Sequence, residues 1–155
     1  MNKETNEDIV FMKYAIEEAK KAFSTGEVPV GAIIVKDGKV IAHSFNSRER
    51  DKNALSHAEI KVIDEACKIL GGWRLVGCSL YVTLEPCPMC AGAIINSRIE
   101  RVVFGAYDEK AGSFGTMINL TNYPLYKPQI LGGILKDECS SLLSDFFKSR
   151  REEGK

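Results

Sequence analysis

The sequence lacks the features that would tie it to a membrane, and it carries no excess of charge. No apolar run approaches the roughly eighteen residues that a membrane-spanning helix needs. The polar segment 1–8 is unlike a signal peptide. The 21 basic residues balance the 21 acidic ones, so binding to nucleic acid through overall positive charge alone is excluded, whereas a local basic patch is not. We therefore expect a cytoplasmic protein without a membrane partner.

Histidine and cysteine are scarce, with two and five residues respectively. An odd number of cysteines without an export signal argues against a disulfide framework, and paired cysteines in a reducing compartment more often indicate a metal or catalytic site. The length of 155 residues and the hydrophobic fraction of 45% are ordinary for one folded unit. Because no linker or repeat interrupts the chain, we expect residues 1–155 to form a single domain.

The hydrophobic periodicity predicts helices and strands in mixed order. The expected helices cover 6–24, 56–70, 88–97 and 137–150, and the expected strands cover 30–35, 39–45, 80–84, 101–106 and 130–131. Between the last two strands, 112–127 is expected to form a loop with a brief helical turn. The final helix is expected to be buried through Cys139, Leu142, Leu143, Phe146 and Phe147. This order predicts an α/β fold, in which a mixed sheet carries helices on its faces.

Two short motifs have the spacing of a catalytic site. Residues 56–59 read Ser-His-Ala-Glu, and residues 85–90 read Glu-Pro-Cys-Pro-Met-Cys. Together they match the His-x-Glu and Pro-Cys-x-x-Cys signature of zinc deaminases. A predicted helix begins at each motif, and helical side chains lean toward the N-terminus. We therefore expect the histidine, the glutamate and both cysteines to meet off the ends of two helices.

One imidazole and two thiolates form a ligand set that suits zinc. His57, Cys87 and Cys90 would supply three ligands and leave the fourth tetrahedral position open for water. Helix N-termini lower thiol pKa values, so both cysteines are expected to bind as thiolates. Hydroxide formed at this position would attack an amidine-type carbon that bears an amino group, with Glu59 transferring the proton and ammonia leaving.

Each motif alone also has a simpler interpretation. Ser56 and Glu59 have the spacing of a helix capping box. Cys87 and Cys90 have the spacing of a redox pair or of half a structural zinc site, although a structural site normally needs four protein ligands. The other three cysteines could in principle supply the fourth ligand, and His43 lies in a strand pattern. The two motifs together are far more specific than either one.

The chain resembles the cytidine deaminase superfamily and, within it, the bacterial tRNA-specific adenosine deaminases. The resemblance covers nearly the whole chain, and its most diagnostic segments are 57–60, 80–93, 97–99, 101–106 and 137–147. It implies a three-layer α/β/α sandwich around a mixed five-stranded sheet, and a homodimer with one zinc ion per subunit. Members of the family convert the wobble adenosine of a tRNA anticodon to inosine, through attack of zinc-bound hydroxide on C6.

The resemblance also implies a role for individual residues. His57, Cys87 and Cys90 would bind zinc, and Glu59 would be the proton shuttle. Asn46, just past the second strand, would hydrogen-bond the flipped nucleotide.

Further residues are expected to contact the substrate. By resemblance, the backbone near Ala58 and Pro86 would shape the base pocket, and Asp108 would lie near the anticodon loop. Candidate phosphate contacts are Lys110, Lys127, Lys148, Arg150 and Arg151. Candidate residues for stacking on bases are Phe114, Tyr123, Tyr126 and Phe147. Glu152 and Glu153 follow the last basic residues directly. The basic residues are therefore explained equally well as the solvated end of a helix that makes no contact with RNA.

Two other functions are compatible with the same motifs. A deaminase of a free base or nucleoside, of guanine or cytosine type, needs the same chemistry and no RNA. A zinc module that binds RNA or protein without catalysis needs the ligands but not Glu59. The basic end of the predicted final helix resembles the tRNA branch of the superfamily, and this resemblance favours the tRNA substrate. Replacing Glu59 distinguishes an enzyme from a pure binder, because only the enzyme loses turnover.

Overall fold

The computed structural model describes residues 4–153. The helices are α1 (Asn6–Ser24), α2 (Arg48–Asp51), α3 (Ala58–Leu70), α4 (Pro88–Asn96) and α5 (Lys136–Glu152). The strands are β1 (Gly31–Lys36), β2 (Lys39–Phe45), β3 (Cys78–Leu84), β4 (Arg101–Ala106) and β5 (Gln129–Gly132), with a single 3-10 turn at Leu120–Asn122. Within the described range, no helix is both long and apolar enough to cross a membrane.

The five strands form one mixed sheet in the order β2-β1-β3-β4-β5. Strand β1 pairs antiparallel with both β2 and β3, whereas β4 pairs parallel with β3 and β5. The crossover from β3 to β4 contains α4, as a parallel pair requires. Because β3 and β4 are parallel, the segments that follow them leave the sheet at the same edge.

Two apolar clusters lie on opposite faces of this sheet. Ile34 and Val82 belong to the cluster that packs under α3 and α4, and their strand neighbours Ile33 and Tyr81 belong to the cluster under α1 and α5. Successive strand residues point to opposite faces, so each buried strand serves both clusters. The predicted three-layer α/β/α sandwich with a mixed five-stranded sheet is confirmed.

A buried carboxylate anchors α1 to the sheet. Asp8 accepts hydrogen bonds from both terminal nitrogens of Arg101, Nη1 to Oδ1 at 2.7 Å and Nη2 to Oδ2 at 2.9 Å. The Tyr81 hydroxyl donates to Oδ1 at 2.7 Å, and the Thr5 N–H donates to Oδ2 at 3.0 Å. Burial alone would raise the pKa of Asp8, but these hydrogen bonds, led by those from Arg101, lower it to about 2. The first turn of α1 is therefore held by an ionised group.

The start of α3 lacks the capping box that was one interpretation of Ser56 and Glu59. The helix begins at Ala58 with His57 as its N-cap, and no side chain caps it. Ser56 is engaged elsewhere, because its carbonyl accepts the Ser47 N–H at 3.1 Å and its hydroxyl hydrogen-bonds Asp51. The capping-box interpretation of Ser56 and Glu59 is wrong, and the Glu59 side chain is not used to cap the helix.

Two further expectations were wrong. Helix α2 was not predicted, because four residues are too few for a periodic pattern. Phe147 was expected to be buried but is 46% exposed. Helix α5 is buried through Cys139 and Phe146, and one residue further along a helix points about 100° away. Phe147 therefore contacts only the edge of this face, through the ring of Phe146.

Candidate active site

The two motifs lie at the starts of two helices. His57 is the N-cap of α3 and Cys87 is the N-cap of α4, each with an extended backbone. Pro88 occupies the first turn of α4, where its fixed φ suits helix initiation and its missing N–H costs nothing. Both side chains therefore project from helix N-termini, where the helix dipole favours negative charge.

Three side chains form a group that could hold a metal ion. His57 Nδ1 lies 3.7 Å from Cys87 Sγ and 3.5 Å from Cys90 Sγ, and all three ligand atoms lie within 4.8 Å of one another. His57 is half-buried and Cys90 is 0% exposed. Of the described residues, neither His43 nor another cysteine joins this group. The group therefore offers three protein ligands and no fourth.

The surroundings shift the pKa values of the two thiols in opposite directions. A hydrogen bond from Cys90 lowers the pKa of Cys87 to about 4, with a further contribution from His57. The same bond, together with burial, raises the pKa of Cys90 well above its ordinary value. Two adjacent thiolates repel each other, so a cation is needed before both lose their protons. Binding of a metal ion by both cysteines as thiolates stays a prediction.

Glu59 lies in the first turn of α3, two residues after His57, and is 4% exposed. Burial raises the pKa of its carboxyl to about 7, although hydrogen bonds from its own N–H and from Cys90 and the charge of His57 oppose this. A carboxyl with a pKa near neutrality can both accept and donate a proton at physiological pH. Glu59 therefore has the properties of a general acid and base.

These groups open into one pocket with a cavity volume of about 170 Å³. The pocket is lined by segments from α3, from the ends of β3 and β4 and from the loops before β1 and after β2. The lining residues include Val28, Asn46, Arg48, His57, Ala58, Glu59, Leu84, Glu85, Cys87, Asp108 and Ala111.

The structure brings most of the expected substrate residues to this pocket. Asn46, Ala58 and Asp108 line it beside His57 and Glu59. Pro86 does not line it, but its carbonyl accepts the N–H of Ser113 at 3.0 Å and so joins two segments of the wall.

The expected RNA contacts are more widely spread. Lys110 is exposed on the loop after Asp108. Lys148, Arg150 and Arg151 lie on the last turns of α5, and the Arg150 guanidinium comes close to Gly26, two residues before the pocket residue Val28. Lys127 precedes β5 and lies at the opposite end of the parallel strands from the pocket.

The aromatic candidates differ in their exposure. Tyr123 and Phe147 are exposed, and Tyr126 is partly buried against the guanidinium of Arg98. Phe114 is buried in the core and is excluded from base stacking.

Sequence reasoning missed two residues of the pocket. Arg48 lines its mouth from α2, and within residues 4–153 its guanidinium has no hydrogen bond or ion pair. No local pattern could have revealed it, because α2 itself was not predicted. Glu85 lines the wall and is buried. A charged residue between an apolar strand and the Pro-Cys-x-x-Cys motif was the available signal for this position.

Comparisons with known proteins identify the family. The family model for MafB19-like deaminases matches residues 5–151. A tRNA-specific adenosine deaminase from Bacillus subtilis (strain 168) is 52% identical over 151 residues, covering 96% of this chain and 94% of the relative. Among solved structures, one from a study of A-to-I editing by tRNA:A34 deaminases has a TM-score of 0.84 and 43% identity, covering 86% of this chain and 99% of that chain. A guanine deaminase from Bacillus subtilis has a TM-score of 0.62 and 32% identity, covering 74% of this chain and 83% of that chain. With His-x-Glu and Pro-Cys-x-x-Cys at one pocket, the chain belongs to the family of tRNA-specific adenosine deaminases.

Proposed function

We propose that residues 1–155 form one zinc-dependent domain that deaminates the wobble adenosine of a tRNA anticodon to inosine. The observation that carries the proposal is the pocket in which buried Glu59 lies beside a three-ligand group at two helix N-termini. The net reaction adds water and releases ammonia. Because tRNA is decoded in the cytoplasm, we place the protein there.

The ligand distances support zinc as the metal. Tetrahedral bonds of about 2.0 Å to nitrogen and about 2.3 Å to sulfur place such ligand atoms roughly 3.5 Å apart. The observed distances from His57 Nδ1 to the two sulfurs are 3.7 and 3.5 Å. When bound, zinc lowers the pKa of a coordinated water to about 7 and so makes hydroxide available at neutral pH.

Glu59 transfers the protons of the reaction. It accepts one proton of the water and delivers it to N1 of the adenine ring as the oxygen adds to C6. It then carries the proton of the new hydroxyl group to the amino group, which leaves as ammonia. Its position in the first turn of α3 fixes it next to His57, and its burial keeps bulk water from competing for the same protons.

Asn46 binds the nucleotide whose base enters the pocket. Its Nδ2 donates to the Val28 carbonyl at 3.1 Å, and its Oδ1 accepts the Arg48 N–H at 3.4 Å. An amide group has two donors and two acceptor positions, so one of each is left for the substrate. The two backbone contacts fix the plane of the amide.

Charged residues around the mouth bind the phosphates next to the flipped nucleotide. Arg48 lines the pocket, and Lys110 lies between the pocket residues Asp108 and Ala111. Arg150 and its neighbours on α5 extend the basic surface past Gly26. An anticodon loop is already single-stranded, so extruding its base costs less than opening a duplex. A few local cations therefore suffice despite the net charge of zero.

We further propose that two copies of the chain form a homodimer through the exposed side of α4. Ala91, Ile94 and Ile95 are buried in the core of one copy and are not available for contact. Gly92 and Asn96 remain on the outer side of α4, next to exposed Tyr123 and Leu125. Light scattering at micromolar concentration tests this arrangement, and a mass of 17.2 kDa would contradict it.

The deciding experiment incubates the zinc-loaded protein with a tRNA that has adenosine at the wobble position and sequences the product for inosine. Glu59→Ala should abolish turnover and keep stoichiometric zinc, whereas Cys87→Ala should lose both. An inactive wild-type protein with full zinc content would contradict the proposed substrate. A Cys87→Ala variant that keeps its zinc would contradict the ligand assignment.

A second candidate is a deaminase of free guanine, because a guanine deaminase shares this fold at 32% identity. Measuring ammonia release from free purines separates the two functions. Release from guanine without inosine formation in tRNA would favour the second.

A further inference from the structure

Glu85 is a buried carboxylate that the proposed chemistry does not use. It is 1% exposed and lies between the end of β3 and the ligand Cys87. Within residues 4–153, no lysine or arginine forms an ion pair with it. A buried charge without a cation requires hydrogen-bond donors to compensate for the water it has lost.

Those donors all come from the loop that follows β4. Oε1 accepts the N–H of Asp108 at 3.2 Å and the hydroxyl of Thr116. Oε2 accepts the N–H groups of Phe114 at 3.1 Å and of Thr116 at 3.2 Å. A single side chain therefore fixes both ends of the segment 108–116, which we call the wall loop.

The wall loop also wraps closely around this carboxylate. A Cβ on Gly112 would lie 2.4 Å from Glu85 Oε1 and 2.5 Å from the Asp108 carbonyl oxygen. Only glycine allows the backbone to come this near. The shape of the loop thus depends on the side chain at its centre.

The wall loop forms one side of the substrate pocket. Asp108 and Ala111 line the pocket, and Lys110 lies between them on the exposed side. These residues contribute no metal ligand. Loss of the bonds to Glu85 would therefore change how the polynucleotide is held, whereas the backbone bond from Ser113 to Pro86 does not involve Glu85 and would still tie the loop to the ligand segment.

We propose that Glu85 is a positioning residue, which acts through the wall-loop backbone to hold the RNA in register with the pocket. This inference rests on the proposed tRNA substrate. Glu85→Gln removes the negative charge and sets an amide N–H₂ against a ring of donors. We expect KM for an anticodon stem-loop to rise about tenfold, the effect of losing roughly one hydrogen bond, while kcat changes less than about threefold.

A matched control separates positioning from loss of stability. Asp8→Asn also neutralises a buried carboxylate, but its partners Arg101 and Tyr81 do not line the pocket. The two variants should be compared at the same fraction of folded protein and with zinc content measured. KM should rise only for Glu85→Gln. An equal rise in both variants, or loss of zinc from Glu85→Gln, would overturn the positioning role.

A second variant tests the route through the wall loop. Thr116→Val removes only the hydroxyl donor to Glu85, so its effect on KM should be smaller and should disappear in the Glu85→Gln background. Additive effects of the two substitutions would overturn the coupling.

Amide hydrogen exchange tests the anchor without any substrate. The amides of Asp108, Phe114 and Thr116 should exchange faster in Glu85→Gln, while those of β3 stay protected. Unchanged exchange would overturn the anchor even if inosine is formed. Absence of inosine from the wild-type protein would instead overturn the substrate and the KM prediction that rests on it.

Discussion

Asp8 and Glu59 are both buried carboxylates near the first turn of a helix, yet their surroundings have opposite effects. Asp8 is 1% exposed and paired with Arg101, which brings its pKa to about 2. Glu59 is 4% exposed, and in the described part of the chain no lysine or arginine forms an ion pair with it, so burial brings its pKa to about 7. The same chemical group is fixed as an anion in one region and left able to exchange protons in the other.

Under the proposed function, this difference separates a residue that serves the fold from one that serves the reaction. A carboxylate with four donors stabilises the native state as long as it stays ionised. A buried carboxylate without a cationic partner costs stability, and an enzyme keeps it for the chemistry that its raised pKa allows. Substitutions at the two positions should therefore separate stability from activity.

The largest effect should come from Glu59→Gln, which keeps the shape of the side chain and removes the proton carrier. We expect inosine formation to fall by about 10³-fold or more, as general acid–base catalysis allows. The free energy of unfolding should change by less than about 1 kcal/mol or rise slightly, since a costly buried charge is gone. Single-turnover assays and urea denaturation of the zinc-loaded protein measure the two quantities. Destabilisation as large as that of Asp8→Asn would show that the two carboxylates do not differ as described.

Asp8→Asn should have the reverse profile. Removing one partner of a buried pair leaves the Arg101 guanidinium without its bidentate acceptor, so we expect a loss of about 3 kcal/mol in unfolding free energy. The rate of inosine formation at 25 °C, where the protein is still folded, should stay within about twofold of the wild type. A large fall in activity with stability intact would contradict the assignment of Asp8 to the fold.

The pH dependence of stability should reveal the same ion pair. The folded pKa of Asp8 lies below its ordinary value of 3.8, at about 2. Its contribution is therefore fully present above pH ~4 and lost as the pH falls toward ~2, amounting to about 2 kcal/mol. Urea titrations across this range should show this loss in the wild-type protein. In Asp8→Asn the free energy of unfolding should not show this loss between pH ~4 and ~2. A loss as large as that of the wild-type protein would contradict the prediction.

The smallest effect should come from Tyr81→Phe, which removes one donor to Asp8 and keeps the ring. The ring still packs against Phe11, whose centroid lies 5.4 Å away. We expect a loss of about 1.5 kcal/mol, typical of a hydrogen bond to a charged group. Thermal denaturation measures it. A loss equal to that of Asp8→Asn would mean that the hydroxyl, and not Arg101, is the main partner of Asp8.

The sequence predicted the features that depend on local patterns. Apolar periodicity placed α1, β2 and β4 with their observed bounds. The motif spacing, with a helix start at each motif, predicted that His57, Cys87 and Cys90 lie together, as the structure shows. These signals are local because a helix start and a strand are each defined by a few consecutive residues.

The features that sequence reasoning missed are contacts between distant segments. Asp8 and Arg101 are 93 positions apart, and Glu85 and Thr116 are 31 apart, so no periodic pattern connects them. The capping-box expectation failed for a related reason, because the hydrogen bonds of Ser56 to Ser47 and Asp51 outcompete a local bond to its own helix. These features depend on tertiary contacts, which can be recognised only when the positions of both partners in the fold are known.

The proposed ligand group is divided between two helices. His57 belongs to α3, Cys87 and Cys90 belong to α4, and β3, which lies between them in the chain, inserts between β1 and β4. A metal ion bound as proposed would therefore be held tightly only once the sheet is complete, and its removal by a chelator would loosen the connection between α3 and α4.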